Sequence, residues 1–553
     1  IRYSNNWAKK RKVHFYMKFS ERLQSIIYNK KKTVAGIDFG ELQVPLLVKV
    51  GISAVSIQGA KANLKAEIPN WDFEKIKIET KASWENELSK IVVEGDSDTQ
   101  KEIFYTALYH SLLVPNLYVD VDGKYNGTDL QTHHTDDKHY TIFSLWDTFR
   151  ATHPLFTLVQ QKKTGEFIRT LLRQYKEGGQ LPIWELAANY TGCMIGYHAI
   201  PVIVDAYFKG IIDFDVDLAL KAMIHSANQD DLGLKSYKEK GFISASDEPE
   251  SVSKNLEYAY DDWCIALIAD QLGDTITAKY FYQRAQNYKN LYDPESGFFR
   301  AKRSYSWFAP FKPEEVNFNY TEANAWQYSL FVPQDIKGHI ELMGGPANYE
   351  KHLDNMFKAP IETSGRDQPD ITGLIGQYAH GNEPSHHMAY LYNYVKKPHK
   401  TQRIVRQILD KQYTHLPDGL SGNEDCGQMS AWYVLSAMGF YAVTPGLDYY
   451  TIGTPLFKKV ILNLENGNTF KIISKNVSEK NIYIQSANLN GEEFNQSFIE
   501  HQIIMNGGVL IFEMGSHPSD WASNSIPSSN IEKFKIVSVP YFMAKSQTFS
   551  DHL

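Results

Sequence analysis

Apolar residues change their spacing twice along this chain, and those two changes limit the folds open to it. Up to about residue 70 they alternate, as in KVHFYMKF, where Val13, Phe15, Met17 and Phe19 stand two apart, and again in VPLLVKVGISAVSI. Such alternation marks strands with one buried face. From Asp98 the spacing becomes helical: DTQKEIFYTALYHSLL puts Ile103, Phe104, Leu108 and Leu112 on one face after an Asp-x-x-Lys start. Further helical stretches follow near 146–159, 163–176, 192–208, 215–227, 253–270, 274–290, 321–331, 335–357, 384–395, 399–411 and 427–439, about twelve in all. After Gly446 strands return, with Val460, Leu462 and Leu464, the turn ENGN, then Phe470 and Ile472, Ile482 and Ile484, and finally VLIFEMG.

The chain therefore reads as α+β and multidomain: β-rich over 1–75, a linker over 76–97, helical over 98–446 and a small C-terminal β unit over 447–553. Some helix connections are short, whereas 178–191, 291–320 and 359–383 are long and rich in Gly, Pro, Asn, Trp and acids. Long loops of that composition are usually functional. A toroid of six helical hairpins, (α/α)6, with the long loops at one mouth fits this alternation.

With 553 residues, 43% of them hydrophobic, the chain can bury a large core. A formal net charge of -7 gives no sign of a polyanionic partner, so no nucleic acid is expected. No apolar run approaches the roughly 20 residues that span a bilayer, which leaves no transmembrane segment in the chain. Aromatic residues make up 13%, enough for a large core and for sugar-stacking surfaces as well. Cys193, Cys264 and Cys426 are too few and too far apart for a disulfide framework or a zinc cluster. Asn126, Asn189, Asn319, Asn476 and Asn495 sit in N-x-Ser/Thr triplets, which matter only on a glycosylating route. The chain opens at Ile1 without Met or a signal-peptide pattern, so preceding sequence is expected to be missing.

Four acidic sites carry possible chemistry. GNEDCGQMSAW at 422–432 sets Asn423, Glu424 and Asp425 in a glycine-framed turn before the last expected helix. One of them would suffice as a helix cap. Two acids and an amide exceed that need, and a carboxylate held at a helix start stays ionised near neutrality, as a general base or cation ligand must. HGNEPSHH at 380–387 repeats the arrangement with Asn382, Glu383, His386 and His387. Adjacent histidines cannot share a helix face as in H-E-x-x-H, which speaks against a zinc protease. The oxygen-rich set Asn382, Glu383, Asn423, Glu424, Asp425 and Gln428 suits a hard cation, Ca²⁺ foremost. Glu322, in YTEANAWQYSLF, has aromatic neighbours that favour the protonated carboxyl of a general acid, although a plain first-turn helix acid fits equally. Asp147, in SLWDTFR, follows a Trp as in sites that stack and hydrogen-bond one sugar ring, and it also fits an i, i+3 pair with Arg150.

Together with LPIWELAANYTGCMIGYHAIPVIVDAY at 181–207, the blocks SLWDTFR, YTEANAWQY, GNEPSHHMAYLYN and GNEDCGQMSAWY resemble, in content and order, glycoside hydrolase family 92. These are calcium-dependent, exo-acting α-mannosidases that invert anomeric configuration. The resemblance runs from about residue 100 to 450 and less sharply through both flanks. It implies a β-sandwich domain, of which 1–75 would be part, packed on an (α/α)6 toroid with the catalytic centre in the toroid mouth. It also implies roles. Glu322 corresponds to the general acid and Asp425 to the general base, while Asn423 falls where many members carry a second acid of the catalytic set. Trp146, Asp147, Trp184, Glu185, His386 and His387 correspond to the substrate-binding region, and Asn382, Glu383 and Glu424 to the calcium region. Ala323 stands where the family commonly has Gly. Glu322, rather than Gln, favours hydrolysis of ordinary glycosides over mannosyl-phosphate linkages.

The expected partners are α-mannoside glycans, with terminal α-1,2-mannose foremost, and the expected location is extracellular or periplasmic, with a surface anchor accommodated before Ile1. The family's N-terminal segment helps build the sugar site, so this chain is expected to lack part of its substrate pocket. Inversion needs roughly 6.5 to 9.5 Å between the two catalytic carboxyls, a gap that admits one water. A polysaccharide lyase, which would call for Tyr, His and Arg or Lys, a mannan-binding protein without turnover, and an inverting glycosidase for another sugar are the rival readings.

Overall fold

A computed structural model describes residues 7–531. The chain divides into two compact units, one made of Ile1–Glu87, Pro115–Ile142 and Glu185–Thr191, the other of Leu88–Val114, Phe143–Trp184 and Gly192–Leu553.

In the first unit, His14–Phe19 and Val48–Ser53 form an antiparallel ladder that sets Phe15 opposite Ile52 and Met17 opposite Val50. Helix Ile57–Glu67, capped by Ser56, packs on Val48–Ser53. Gly51 permits this approach, since a Cβ there would run into the Ala60 carbonyl. Ser25–Tyr28 and Ala35–Asp38 form a separate antiparallel pair. The alternating pattern thus locates strands, but the apolar face it marks is not the buried one, since Phe15, Met17, Val48, Val50 and Ile52 are exposed while Lys49, Gly51 and Ser53 are buried, and the end of VPLLVKVGISAVSI is already entering a helix. The span expected as a linker, 76–97, is also structured. Phe73–Leu88 is a helix with no buried residue, laced by Lys75–Glu79 and Lys81–Glu85 pairs. Its few apolar residues, Phe73, Ile76, Ile78, Trp84 and Leu88, form no continuous stripe among the charges, so its sequence reads as a connection.

In the second unit, helix Ser251–Gln271 is buried from Ser251 through Ala266 and packs against Ala199–Phe208, Val216–Ala227 and Thr275–Arg284. Consecutive helices also touch, Thr152–Val159 with Gln161–Gly178 and Ile336–Leu342 with Pro346–Lys358. The latter pair was expected as one helix; Gly344 and Gly345, at φ of 84° and 107°, break it, and Pro346 starts the second. The helix expected at 192–208 begins only at Ala199, and the one at 321–331 shrinks to Ala325–Tyr328. The stretch 384–395 is mainly 3₁₀, with Met388–Val395 as its longest piece. Leu234–Lys240 is a helix that the periodicity did not disclose.

The C-terminal strands form a six-stranded sheet in the order Glu492–Glu493, Tyr483–Leu489, Gly508–Gly515, Thr469–Lys475, Lys459–Asn463, Ile91–Glu94. The last of these comes from the span expected as a linker and pairs antiparallel with Lys459–Asn463, Val92 opposite Ile461. Phe470, Ile472, Leu510 and Phe512 join Trp432 and Leu435 of the helices in one apolar cluster. The sheet therefore falls in the same compact unit as the helices. The part of the expected C-terminal β unit from 532 to 553 lies outside the described residues. Among the described residues no helix is long and apolar enough to cross a membrane, and the three cysteines are free thiols.

Candidate active site

Two turns with the same beginning, Gly381-Asn382-Glu383 and Gly422-Asn423-Glu424, lie backbone against backbone. A Cβ on Gly422 would run into the Gly381 carbonyl, and one on Gly381 into Thr372 Oγ1 and, at 2.7 Å, the Ser421 carbonyl. Glycine is needed at both positions to bring the acids after them together. The chain then passes through Asp425 and Cys426 at φ of 49° and 59° before helix Gln428–Met438 begins. Gly427 occupies the cap position without any side-chain cap, so neither Asp425 nor Asn423 serves that purpose. Glu322 likewise lies ahead of its helix, at φ 48°, and the cap there is Asn324. Holding a non-glycine residue in this left-handed region costs about 1–3 kcal/mol, and such strain clusters at functional sites. Ala323, buried beside Glu322, is not helical.

Asp147, in the single helical turn Leu145–Thr148, accepts a short hydrogen bond from Ser144 Oγ. Ligand oxygens of Asp147, Glu383 and Asp425 all lie within 4.8 Å of one another. Glu383 is fully buried, and neither of its carboxylate oxygens meets a hydrogen-bond partner. An uncompensated buried carboxylate is costly and calls for a proton or a cation. Burial, then the neighbouring acids, holds the carboxyls of Asp147 and Glu383 well above the usual carboxylate range. Asp425 is pushed up to about 6, by burial first and then by Asp370 and Glu424. Glu322 is pushed up to about 7, by burial, Asp370, Asp425 and Glu250, against a hydrogen bond from Asn382. The Asn382 amide donates to the Glu322 carbonyl at 2.9 Å and reaches Oε2 at 3.5 Å.

The other expected site residues take different places. Glu424 is tied to Ser430 Oγ at 2.7 Å and to His110 Nδ1 at 3.2 Å, and it is not part of the carboxylate group with ion-binding geometry. Asn423 is exposed and donates to Asp370 Oδ1 at 3.0 Å. Trp146, expected to stack on sugar, is buried, and its indole N–H donates to Glu257 at 3.0 Å. Arg150 pairs with that same Glu257 rather than forming the i, i+3 bridge to Asp147. His386 and His387 are buried and donate through Nε2 to the carbonyls of His380 and Leu330. Burial pulls their pKa values down to about 3 and about 4, so both are neutral, structural imidazoles. Trp184 is half-buried at the start of the short strand Trp184–Leu186. Glu185, assigned to the first unit, accepts from Thr141 Oγ1, Ile142 N–H and Ala188 N–H. These bonds tie its carboxylate to the turns around Thr141 and Ala188.

Sequence reasoning missed Asp370, whose charge is the largest electrostatic influence on both Glu322 and Asp425 after burial. The available signal was its position in the long loop 359–383, together with the acid-rich GRDQPD around it.

A family model, glycosyl hydrolase family 92 catalytic domain, matches residues 59–516. The chain belongs to this family. Among solved structures it is similar to a family GH92 α-mannosidase of Bacteroides thetaiotaomicron, with 38% identity over 95% of this chain and 73% of that one at a TM-score of 0.89. A family GH92 inverting mannosidase of the same organism gives 34% identity over 96% and 77%, at 0.87. A curated relative, an uncharacterized secreted glycosidase of Arthroderma benhamiae, is 28% identical over 531 residues, and the match takes in 87% of this chain and 62% of the relative. The chain thus spans less than two thirds of the length of that relative.

Proposed function

We propose that this chain is an exo-acting, inverting α-mannosidase that removes terminal α-linked mannose, α-1,2 foremost, from mannan or N-glycans. The observation that carries the reading is the pairing of a strained, largely buried Glu322 held up at about 7 with a strained Asp425 at about 6, beside buried Asp147 and Glu383. Between about pH 6 and 7 Glu322 is the more protonated of the two and Asp425 the more ionised, the division of labour that single displacement requires. Glu322 gives its proton to the glycosidic oxygen as the C1–O bond breaks. A water bonds to C1 from the opposite face and yields a proton to Asp425, so mannose leaves as the β-anomer. Family membership and the likeness to GH92 mannosidases support this reading. The helical hairpins of the second unit are read as the (α/α)6 toroid and the strands of the first as part of a β-sandwich.

The buried, unpartnered carboxylate of Glu383 beside Asp147 fits a hard cation. Asp147 and Glu383 would hold Ca²⁺, with Asn382, its own amide engaged by Glu322, bordering the site. When bound, the ion supplies positive charge that neutralises the acids and binds vicinal sugar hydroxyls. Asp425, less buried than the other two, remains the base. An extracellular or periplasmic location is supported by the relative described as secreted.

The test is release of mannose from α-1,2-mannobiose across pH. The expected kcat/KM profile is a bell, its acid limb set by Asp425 taking up a proton and its alkaline limb by Glu322 losing one, with the acid limb at lower pH when calcium is bound beside Asp425. Turnover that stays level up to pH 9 would remove Glu322 as the acid.

A further inference from the structure

Beneath the site, the long helix Ser251–Gln271 carries a glutamate whose hydrogen bonds reach both catalytic walls. Glu257 is fully buried. Its Oε1 accepts from Trp146 Nε1 at 3.0 Å and from Tyr328 Oη at 2.8 Å. Trp146 immediately precedes Asp147 within one helical turn, and Tyr328 ends the short helix Ala325–Tyr328 that follows Glu322. Oε2 faces His198 Nε2 at 2.7 Å, and His198 Nδ1 faces Asp261 Oδ1 at 2.7 Å. With a carboxylate on each ring nitrogen, both must donate, so His198 is an imidazolium. It lies flat on Phe149, 4.3 Å between ring centres. Arg150, 3.4 Å from Glu257, completes a buried set of two anions and two cations. Such a set adds little net stability compared with apolar packing, but it fixes geometry, because each partner left alone is a buried charge.

We infer that Glu257 is a positioning residue that sets the spacing between the wall bearing Glu322 and the wall bearing Asp147. It touches neither substrate nor the reacting atoms. It acts through Tyr328 on the acid and through Trp146 on the sugar-holding side. None of the motifs read from the sequence included it, because Glu257 stands alone in its turn of a helix whose other acids, Asp261, Asp262 and Asp270, form no glycine-framed cluster with it. The inference rests on the glycosidase reading above, and the test separates the two.

The experiment compares the full chain with Tyr328→Phe and Glu257→Gln, using α-1,2-mannobiose, which needs a proton on its leaving oxygen, and p-nitrophenyl α-mannoside, which needs it much less. Cutting only the Tyr328 tie displaces the acid. Y328F should therefore lower kcat on mannobiose about ten- to a hundredfold more than on the aryl mannoside. E257Q, which loosens both walls, should in addition raise KM for both substrates. Melting temperatures establish that the variants fold, and if E257Q does not, Y328F alone decides the matter. Equal losses on the two substrates, or no loss in Y328F, would show a purely structural role and overturn the inference while leaving the glycosidase reading intact. A wild-type chain that turns over neither substrate would instead overturn the functional reading, and the inference with it.

Discussion

Replacing Glu322 with Gln should lower kcat on α-1,2-mannobiose by about 10²- to 10⁴-fold, the range typical of a lost general acid. The substitution keeps the side chain's shape and its place beside the Asn382 amide, so binding should suffer far less than turnover. The loss should shrink on an aryl mannoside whose phenolate departs without help. The fall in rate above about pH 7 should disappear as well, because the group responsible for it is gone. A variant with near wild-type turnover on the disaccharide would place the acid elsewhere.

The second large effect concerns the ion. Asp147, Glu383 and Asp425 crowd within 4.8 Å, and folding raises the pKa of each. A carboxyl whose pKa is raised by folding binds its proton more tightly in the folded chain. The ion-free protein should therefore keep this stability below the ordinary carboxyl value of about 4 and lose it as pH rises through the raised values. Calcium bound at the proposed site would take over the role of the protons, so adding it at pH 8 should raise the melting temperature; a hundredfold excess over Kd corresponds to about 2.7 kcal/mol. Glu383→Gln removes one of the crowded charges. It should melt higher than wild type without calcium, lose most of the response to calcium, and lose activity. A wild-type melting temperature that is the same with calcium and with a chelator would contradict the assignment.

What the sequence disclosed follows a physical division. Acids placed after glycine in a turn are conspicuous, because such a turn has no packing reason to carry two carboxylates. Glu383 and Asp425 stand out that way, Asp147 through its Trp, and Glu322 through its aromatic neighbours. Whether a polar side chain looks into the site or into the scaffold depends on partners that only the folded chain selects. His386 and His387 find main-chain carbonyls at His380 and Leu330, Trp146 finds Glu257, and Glu424 finds Ser430. Leu330 and Glu257 lie far off in sequence, and although His380 and Ser430 fall within the quoted segments, their spacing does not mark them as partners. Asp370 was hidden for the opposite reason: a long loop has no periodicity from which to single out one acid. In the fold, the strands and most long helices followed their apolar spacing. Phe73–Leu88 has no fully buried residue, and the turn after Thr321 takes the place of the start of an expected helix to present Glu322.

The central claim is single displacement by Glu322 and Asp425. Its most direct test is proton NMR of the first mannose released from α-1,2-mannobiose by the chain in calcium, recorded before the anomers equilibrate. The expected first product is β-mannose. Initial α-mannose would mean two displacements and would contradict the assignment of Asp425 as the base that activates water.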